Sequence, residues 1–292
     1  MTDHCDVDAL SPREGHVEDA AKAAATTEHV DVEGEDVAAC PDAPFSEHGQ
    51  GIRSMWAEPD ASAIQVRGPS YIEDGVKVAS GPALGKLLHV DLWNVACYEE
   101  RHHIARAEER RPNSVLKHCQ REHPDSLVFI LNIELPNADN TCVVSYWLLP
   151  KLRDAQSDMA HDPAHNFHRL LWAFCNAEDD EFRTQRFKLI PDFANAPWVF
   201  QQLVPSRPAI TGNKLTQHYF RRSNYFELDL DIASSTVASS IGSLCCSWAT
   251  YLDVHVFMTI QGEEDDELPE RVIGGVSFKY LDLTNATPLE SS

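Results

Sequence analysis

The sequence predicts an α+β fold: a curved, mainly antiparallel β-sheet with two main helices packed on it, preceded by a disordered tail. Three observations carry that reading. Short segments rich in Val, Ile, Phe and Tyr recur between turn residues from 126 to 282, and only two longer stretches space their apolar residues as helices do. The first 50 residues hold 13 acids against Arg13 and Lys22, with Phe45 their one aromatic. Such a stretch buries too little apolar surface to offset its ordering entropy.

Taken in order, residues 1–50 form the acidic tail, 51–284 the folded domain and 285–292 a short polar tail. The composition changes at Met55, where Trp56 and then IQVRGPSYI bring in aromatic and β-branched residues. Glu99–Glu109 reads as a short helix. SLVFILNIELP (126–136) puts Phe129, Leu131, Ile133 and Leu135 on one side and Asn132 and Glu134 on the other. NADN (137–140) then turns the chain into Cys142–Leu149, which makes a hairpin. A helix opens with Asp162 as N-cap and Pro163 in its first turn, and spaces Phe167, Leu170, Leu171 and Phe174 along one face. Arg186–Ile190, Trp198–Val204, Lys214–Phe220, Tyr225–Ile232, Val254–Gln261 and Arg271–Asp282 read as strands. The longer helix spans about Ser234–Tyr251, within a 21-residue uncharged run from Ile232 to Leu252. Its bulky stripe is Val237, Ile241, Leu244, Trp248 and Leu252; its small stripe is Ser235, Ser239, Gly242, Cys246 and Ala249. With no charged face it is expected to be packed all round, and eight Ser or Thr residues in the run argue against a membrane span.

Bulk properties exclude several functions. The 292 residues carry a formal charge of −22, which disfavours non-specific attraction to nucleic acid or an anionic membrane, so any such contact needs a local basic patch. Half of that charge lies in the tail. The eight cysteines form no C-x-x-C pair, and the N-terminus lacks a signal-peptide core, so the expectation is an intracellular, cytoplasmic chain with reduced thiols that is not secreted. No nucleophile elbow, phosphate loop or dinucleotide fingerprint occurs, so no catalytic residue and no cofactor are assigned. His161, His165 and His168 have zinc-like spacing, but they read as a polar helix face. His102-His103 and His118/His123 are given no metal either.

Several blocks are more specific. Trp56 with Glu58-Pro59-Asp60, VRGPSYI (66–72), GPAL (81–84) with HVDLW (89–93), Phe182-Arg183 with RFKLIP (186–191), Pro197-Trp198-Val199, RPAITGNKL (207–215), YFRRSNYFELDLDIASSTVA (219–238) and ELPERVIGGV (267–276) occur in this order. In order and spacing they resemble the C-terminal domain of the plant protein Enhanced Disease Resistance 2, from Trp56 to about Leu283. Arg222-Ser223 stands where that family commonly has Gly-Pro. The plant proteins carry the domain after a pleckstrin-homology and a START domain. The resemblance thus implies company with lipid-binding domains, an associational warrant.

The expected function is a non-enzymatic module for a lipid or other amphipathic small molecule, acting at an anionic membrane surface. The alternatives are a protein-interaction scaffold with unknown partners, and a hydrolase built where Asp229, Asp231 or the histidines converge. For the ligand reading, Arg183, Arg186, Lys188 and Arg221 are the candidate head-group residues, since guanidinium suits phosphate. Val237, Ile241, Leu244, Trp248, Trp198 and Tyr219 are the candidate lining of an apolar cavity between helix and sheet. Glu227, Asp229 and Asp231 share one face of their strand and offer the other reading, in which they pair with those arginines in an internal ladder.

Overall fold

A computed structural model describes residues 50–151, 165–204 and 207–289. The α+β class holds, but the strands divide between two main sheets instead of one. The five-stranded sheet has the order β1-β12-β11-β7-β8, from Trp56–Ala57, Gly274–Lys279, Asp253–Ile260, Phe187–Asn195 and Ala209–Ile210, and is antiparallel throughout. The six-stranded sheet has the order β13-β4-β6-β5-β10-β9, from Thr287–Pro288, Lys86–Asn94, Thr141–Leu149, Leu127–Glu134, Tyr225–Asp231 and Thr216–Arg221. Two of its pairs, β13 with β4 and β5 with β10, are parallel. A small hairpin, β2 (Gln65–Arg67) with β3 (Lys77–Ala79), stands apart. The helices are α1 (Tyr71–Asp74), α2 (Ala105–Glu108), α3 (Val115–Glu122), α4 (Asn166–Asn176), α5 (Asp180–Thr184), α6 (Trp198–Leu203) and α7 (Thr236–Trp248).

Both main sheets send side chains into one core. Phe129 and Leu131 of β5, Phe226, Leu228 and Leu230 of β10, Phe187 of β7 and Ile273 and Val276 around β12 meet there. The four-residue spacing of α4 closes it with Phe167, Leu170, Leu171 and Phe174, all buried, each burial contributing roughly 1.5–3 kcal/mol. The opposite face of the six-stranded sheet is covered too. Val128, Ile130, Val144, Tyr146 and Tyr225 pack under Ile104, Ala105 and, from α3, Val115, Leu116 and Cys119. A sheet covered on both faces buries its alternate residues as well, and every residue of β10 is buried.

Several expectations need correction. Trp198–Val204 is helical, not extended: Phe200 and Val204, four residues apart, share the buried side, and Trp198 is 71% exposed. The segment 99–109 splits into a 3-10 turn (Tyr98–Arg101) and α2, with His103 in the left-handed region at φ 59°. The long helix forms, with Ser235 as its cap, but it is not packed all round. Val237 is 68% exposed, while Ile241, Leu244 and Trp248 lie against Phe193, Phe200, Val204 and Leu252. Ser240 and Ser247 donate to the carbonyls of Thr236 and Ser243 at 2.9 Å, so an uncharged face can meet solvent with its hydroxyls satisfied. The small stripe does allow close approach. A Cβ on Gly242 would lie 2.8 Å from Ile232 Cγ2 and 2.9 Å from Pro136 Cγ. At the C-terminus, Thr287–Pro288 pairs with Trp93–Asn94, so residues assigned to a polar tail belong to the sheet. The acidic tail up to residue 49 and the Asp162 cap lie outside the described residues. No described helix is long and apolar enough to cross a membrane.

Candidate functional site

A cavity of about 420 Å³ opens beside the five-stranded sheet, between the β2–β3 hairpin, α1, β7 and the segment 208–214. Arg67, Lys77, Lys188 and Lys214 line it together with Glu270. Alternation along β7 aims Lys188 and Ile190 into it. Glu270 is buried and fully occupied. Lys188 Nζ donates to its two oxygens at 2.7 and 2.8 Å, and the amides of Gly262 and Arg67 donate to them at 3.1 and 3.2 Å. Arg67 lies over the Tyr71 ring at 4.7 Å and donates to the Gly262 carbonyl at 2.6 Å, with Nε 3.7 Å from Glu270. Burial lowers the Lys188 ammonium, as do Arg67 and Lys77; Glu270 acts the other way. Among the described residues no acid pairs with Lys77 or Lys214. The cavity therefore holds a surplus of positive charge in a concave, partly desolvated wall, which is the electrostatic form of an anion site. Ile72 and Val76, next in sequence to Tyr71 and Lys77, are 50% and 52% exposed.

Local sequence explains the walls. Gly75 takes a left-handed turn at φ 68° and lets the chain leave α1 for β3. Gly212 lies so near residue 184 that a Cβ would stand 2.1 Å from the Thr184 carbonyl oxygen.

Of the residues chosen from sequence, only Lys188 lines this cavity. Arg183 is buried, its guanidinium donating to the carbonyls of Phe174 (2.9 Å) and Ala177 (2.5 Å) and to Asp180 (2.5 Å), which ties α4 to α5. Arg186 pairs with Glu267 at 2.7 Å and Glu263 at 3.3 Å. The acidic run GEEDDELPE (262–270) thus supplies the counter-ions of Arg186 and Lys188. Arg221 is exposed at the end of β9 and donates to the Tyr225 carbonyl at 3.1 Å. The four do not share one face. Val237, Ile241, Leu244, Trp248 and Trp198 belong to the surface and packing described above. Tyr219 bonds Thr184 Oγ1 at 3.1 Å and packs against the core. None of them lines the cavity. Sequence reasoning passed over Arg67 and Lys77, although Arg67 stands inside VRGPSYI.

The acids of β10 are a correction as well. They do not reach the candidate arginines, because their face of the sheet is roofed by residues 98–123. Glu227 accepts from the amide of Ala105 at 3.2 Å, and Asp229 from the amide of His103 at 2.9 Å and from Asn132 Nδ2 at 3.2 Å. Asp231 takes Arg101 at 3.4 Å and the Tyr98 hydroxyl. Glu134 meets His102 Nδ1 at 2.6 Å. Burial pushes the carboxyls of Glu134 and Asp229 up to about 7 and Glu227 well above its ordinary range. The adjacent imidazoles part, His102 against His218 (4.2 Å between centroids) and His103 stacked on Phe220 (4.0 Å).

Comparison with known proteins supplies the family. The model for the C-terminal domain of Protein ENHANCED DISEASE RESISTANCE 2 matches residues 56–282. A relative from Arabidopsis thaliana, Protein ENHANCED DISEASE RESISTANCE 2-like, is 30% identical over 237 residues, covering 81% of this chain and 30% of the relative. The chain thus aligns with under a third of that relative's length. No solved structure matches. The chain belongs to the Enhanced Disease Resistance 2 C-terminal domain family.

Proposed function

We propose that this domain is a non-enzymatic binding module for the anionic head group of a lipid, working at a membrane surface inside the cell. The observation that carries the reading is convergence. Four blocks far apart in sequence, VRGPSYI, RFKLIP, RPAITGNKL and ELPERVIGGV, meet in one cavity and supply Arg67, Lys188, Lys214 and Glu270 to its wall. A volume of about 420 Å³ suits a head group, and small-molecule sites fall in roughly the same range. Lys77 and Lys214 would hold phosphate or carboxylate oxygens by charge-assisted hydrogen bonds. The exposed apolar side chains of Ile72 and Val76, next in sequence to the wall residues Tyr71 and Lys77, would enter the interfacial layer. The acyl chains stay in the bilayer, which removes the need for an apolar tunnel beneath α7. The free thiols, with Cys97 exposed, suit a reducing compartment.

The test is flotation of the full chain with phosphatidylcholine vesicles with and without a phosphoinositide. Binding that requires the anionic lipid and weakens with salt is the expected result. Equal recovery with both vesicles, or none with either, contradicts the proposal.

A further inference from the structure

We propose that His102, Glu134 and Asp229 form a divalent-cation site on the roofed face of the six-stranded sheet. One ligand atom from each, a ring nitrogen of His102 and one oxygen from either carboxylate, lie within 4.8 Å of one another. Bonds of about 2.0–2.2 Å to Zn²⁺ place ligand atoms closer than that. A small inward rotation of these side chains completes the set. The 2.6 Å hydrogen bond between His102 Nδ1 and Glu134 Oε1 gives way to two metal bonds, and the shared proton leaves to solvent.

Two further observations point to a missing partner. Among the described residues, Asn132 Oδ1 is buried with no hydrogen-bond partner, and Glu134 Oε2 has none either, its nearest cation being Arg101 Nε at 3.7 Å, beyond hydrogen-bond reach; such atoms are rare in native proteins. Both belong to the cluster: Glu134 is itself a ligand, and the Asn132 amide contacts Asp229 through Nδ2 at 3.2 Å. The surroundings hold the carboxylates in place. The His103 amide fixes the second oxygen of Asp229, and Asn132 is itself anchored on the Arg101 carbonyl at 2.8 Å. Arg101 neutralises part of the charge, 3.4 Å from Asp231 and 3.7 Å from Glu134. That still leaves more carboxylates than cations on this face, with Glu227 beside them. His102 is 22% exposed on its side chain and gives the ion a path from solvent along the His218 edge. One imidazole with two carboxylates suits Zn²⁺, Mn²⁺ or Fe²⁺ over Ca²⁺ or Cu⁺, and leaves coordination positions for water.

The test is calorimetric titration of the chelator-stripped full chain with Mn²⁺ and with Zn²⁺, each alone. One equivalent is expected to bind, weakened at least about tenfold in both His102→Ala and Glu134→Gln and unchanged in His168→Ala. Should His102→Ala fail to fold, Glu134→Gln preserves shape, and Mn²⁺ electron paramagnetic resonance of wild type against that variant decides. No binding, or binding that either His102→Ala or Glu134→Gln leaves intact, overturns the proposal.

Discussion

On the roofed face of the six-stranded sheet, Glu134, Glu227, Asp229 and Asp231 are buried, and the hydrogen bonds they make include those to the amides of His103 and Ala105, to Arg101 and to His102. In the cavity beside the five-stranded sheet the proportions are reversed. Among the described residues Glu270 alone answers Arg67 and Lys188, while no acid pairs with Lys77 or Lys214. The first region places its charge where water is excluded, so each carboxylate is tied to the fold and its removal costs stability. The second leaves its charge at an opening, where it costs the fold little and remains available to a ligand. Acidic composition thus says little about the sign of a local site. The domain is negative overall, and this cavity is positive.

Breaking the first region should give the largest effect on stability. Asp229→Ala leaves the His103 amide and Asn132 without their acceptor under the roof, and a loss of about 3 kcal/mol is expected in urea unfolding. Arg183→Ala, which cuts the bonds from α5 to Phe174 of α4 and to Ala177 just after it, and the bond to Asp180 within α5, should cost somewhat less, on the order of 2 kcal/mol. Glu108 sharpens the comparison through pH. Burial, with Asp91 beside it, raises its carboxyl from 4.5 to about 7. The folded chain therefore keeps a proton that the unfolded chain releases. This contribution is fully present below 4.5 and is lost as pH rises through 7. Glu108→Gln cannot ionise, so it should gain on the wild type by on the order of 2 kcal/mol between pH 5 and 8. A flat difference across that range would contradict the burial argument. At the small end, Val237→Ser on the open side of α7 should change stability by less than about 0.5 kcal/mol.

Much of the architecture is legible in the residues. Phe129, Leu131 and Ile133 alternate as the core face of β5, and Phe167, Leu170, Leu171 and Phe174 give α4 its buried stripe. Alternation misleads on β10. Glu227, Asp229 and Asp231 read as partners for the nearby arginines, because period 2 reports that two faces differ and not what covers them. Their roof is the charge-rich stretch 98–123, whose sequence gives no sign that it packs on a sheet. Trp198–Val204 has β-prone residues, yet Pro197 and the four-residue step from Phe200 to Val204 favour one short helix. The cavity was partly visible, since Lys188 and Arg67 both stand in blocks that carry the family resemblance. Their meeting was not, because it depends on pairing β7 with β11, 58 to 73 positions apart, and on folding the β2–β3 hairpin over residues 267–273, where Arg67 meets Glu270 across 203 positions. Lys77 lies outside every such block, and only its register opposite Arg67 brings it to the wall.

The central claim is that the basic cavity holds an anionic head group, and the doubly reversed variant Lys77→Glu/Lys214→Glu tests it most directly. Neither side chain holds the fold together, so the variant's circular dichroism and unfolding midpoint should match the wild type. Its binding to phosphoinositide-containing vesicles should fall at least about tenfold, as expected when local attraction turns to repulsion. A folded variant that binds those vesicles as tightly as the wild type, with the same salt dependence, would contradict the assignment of this cavity as the site.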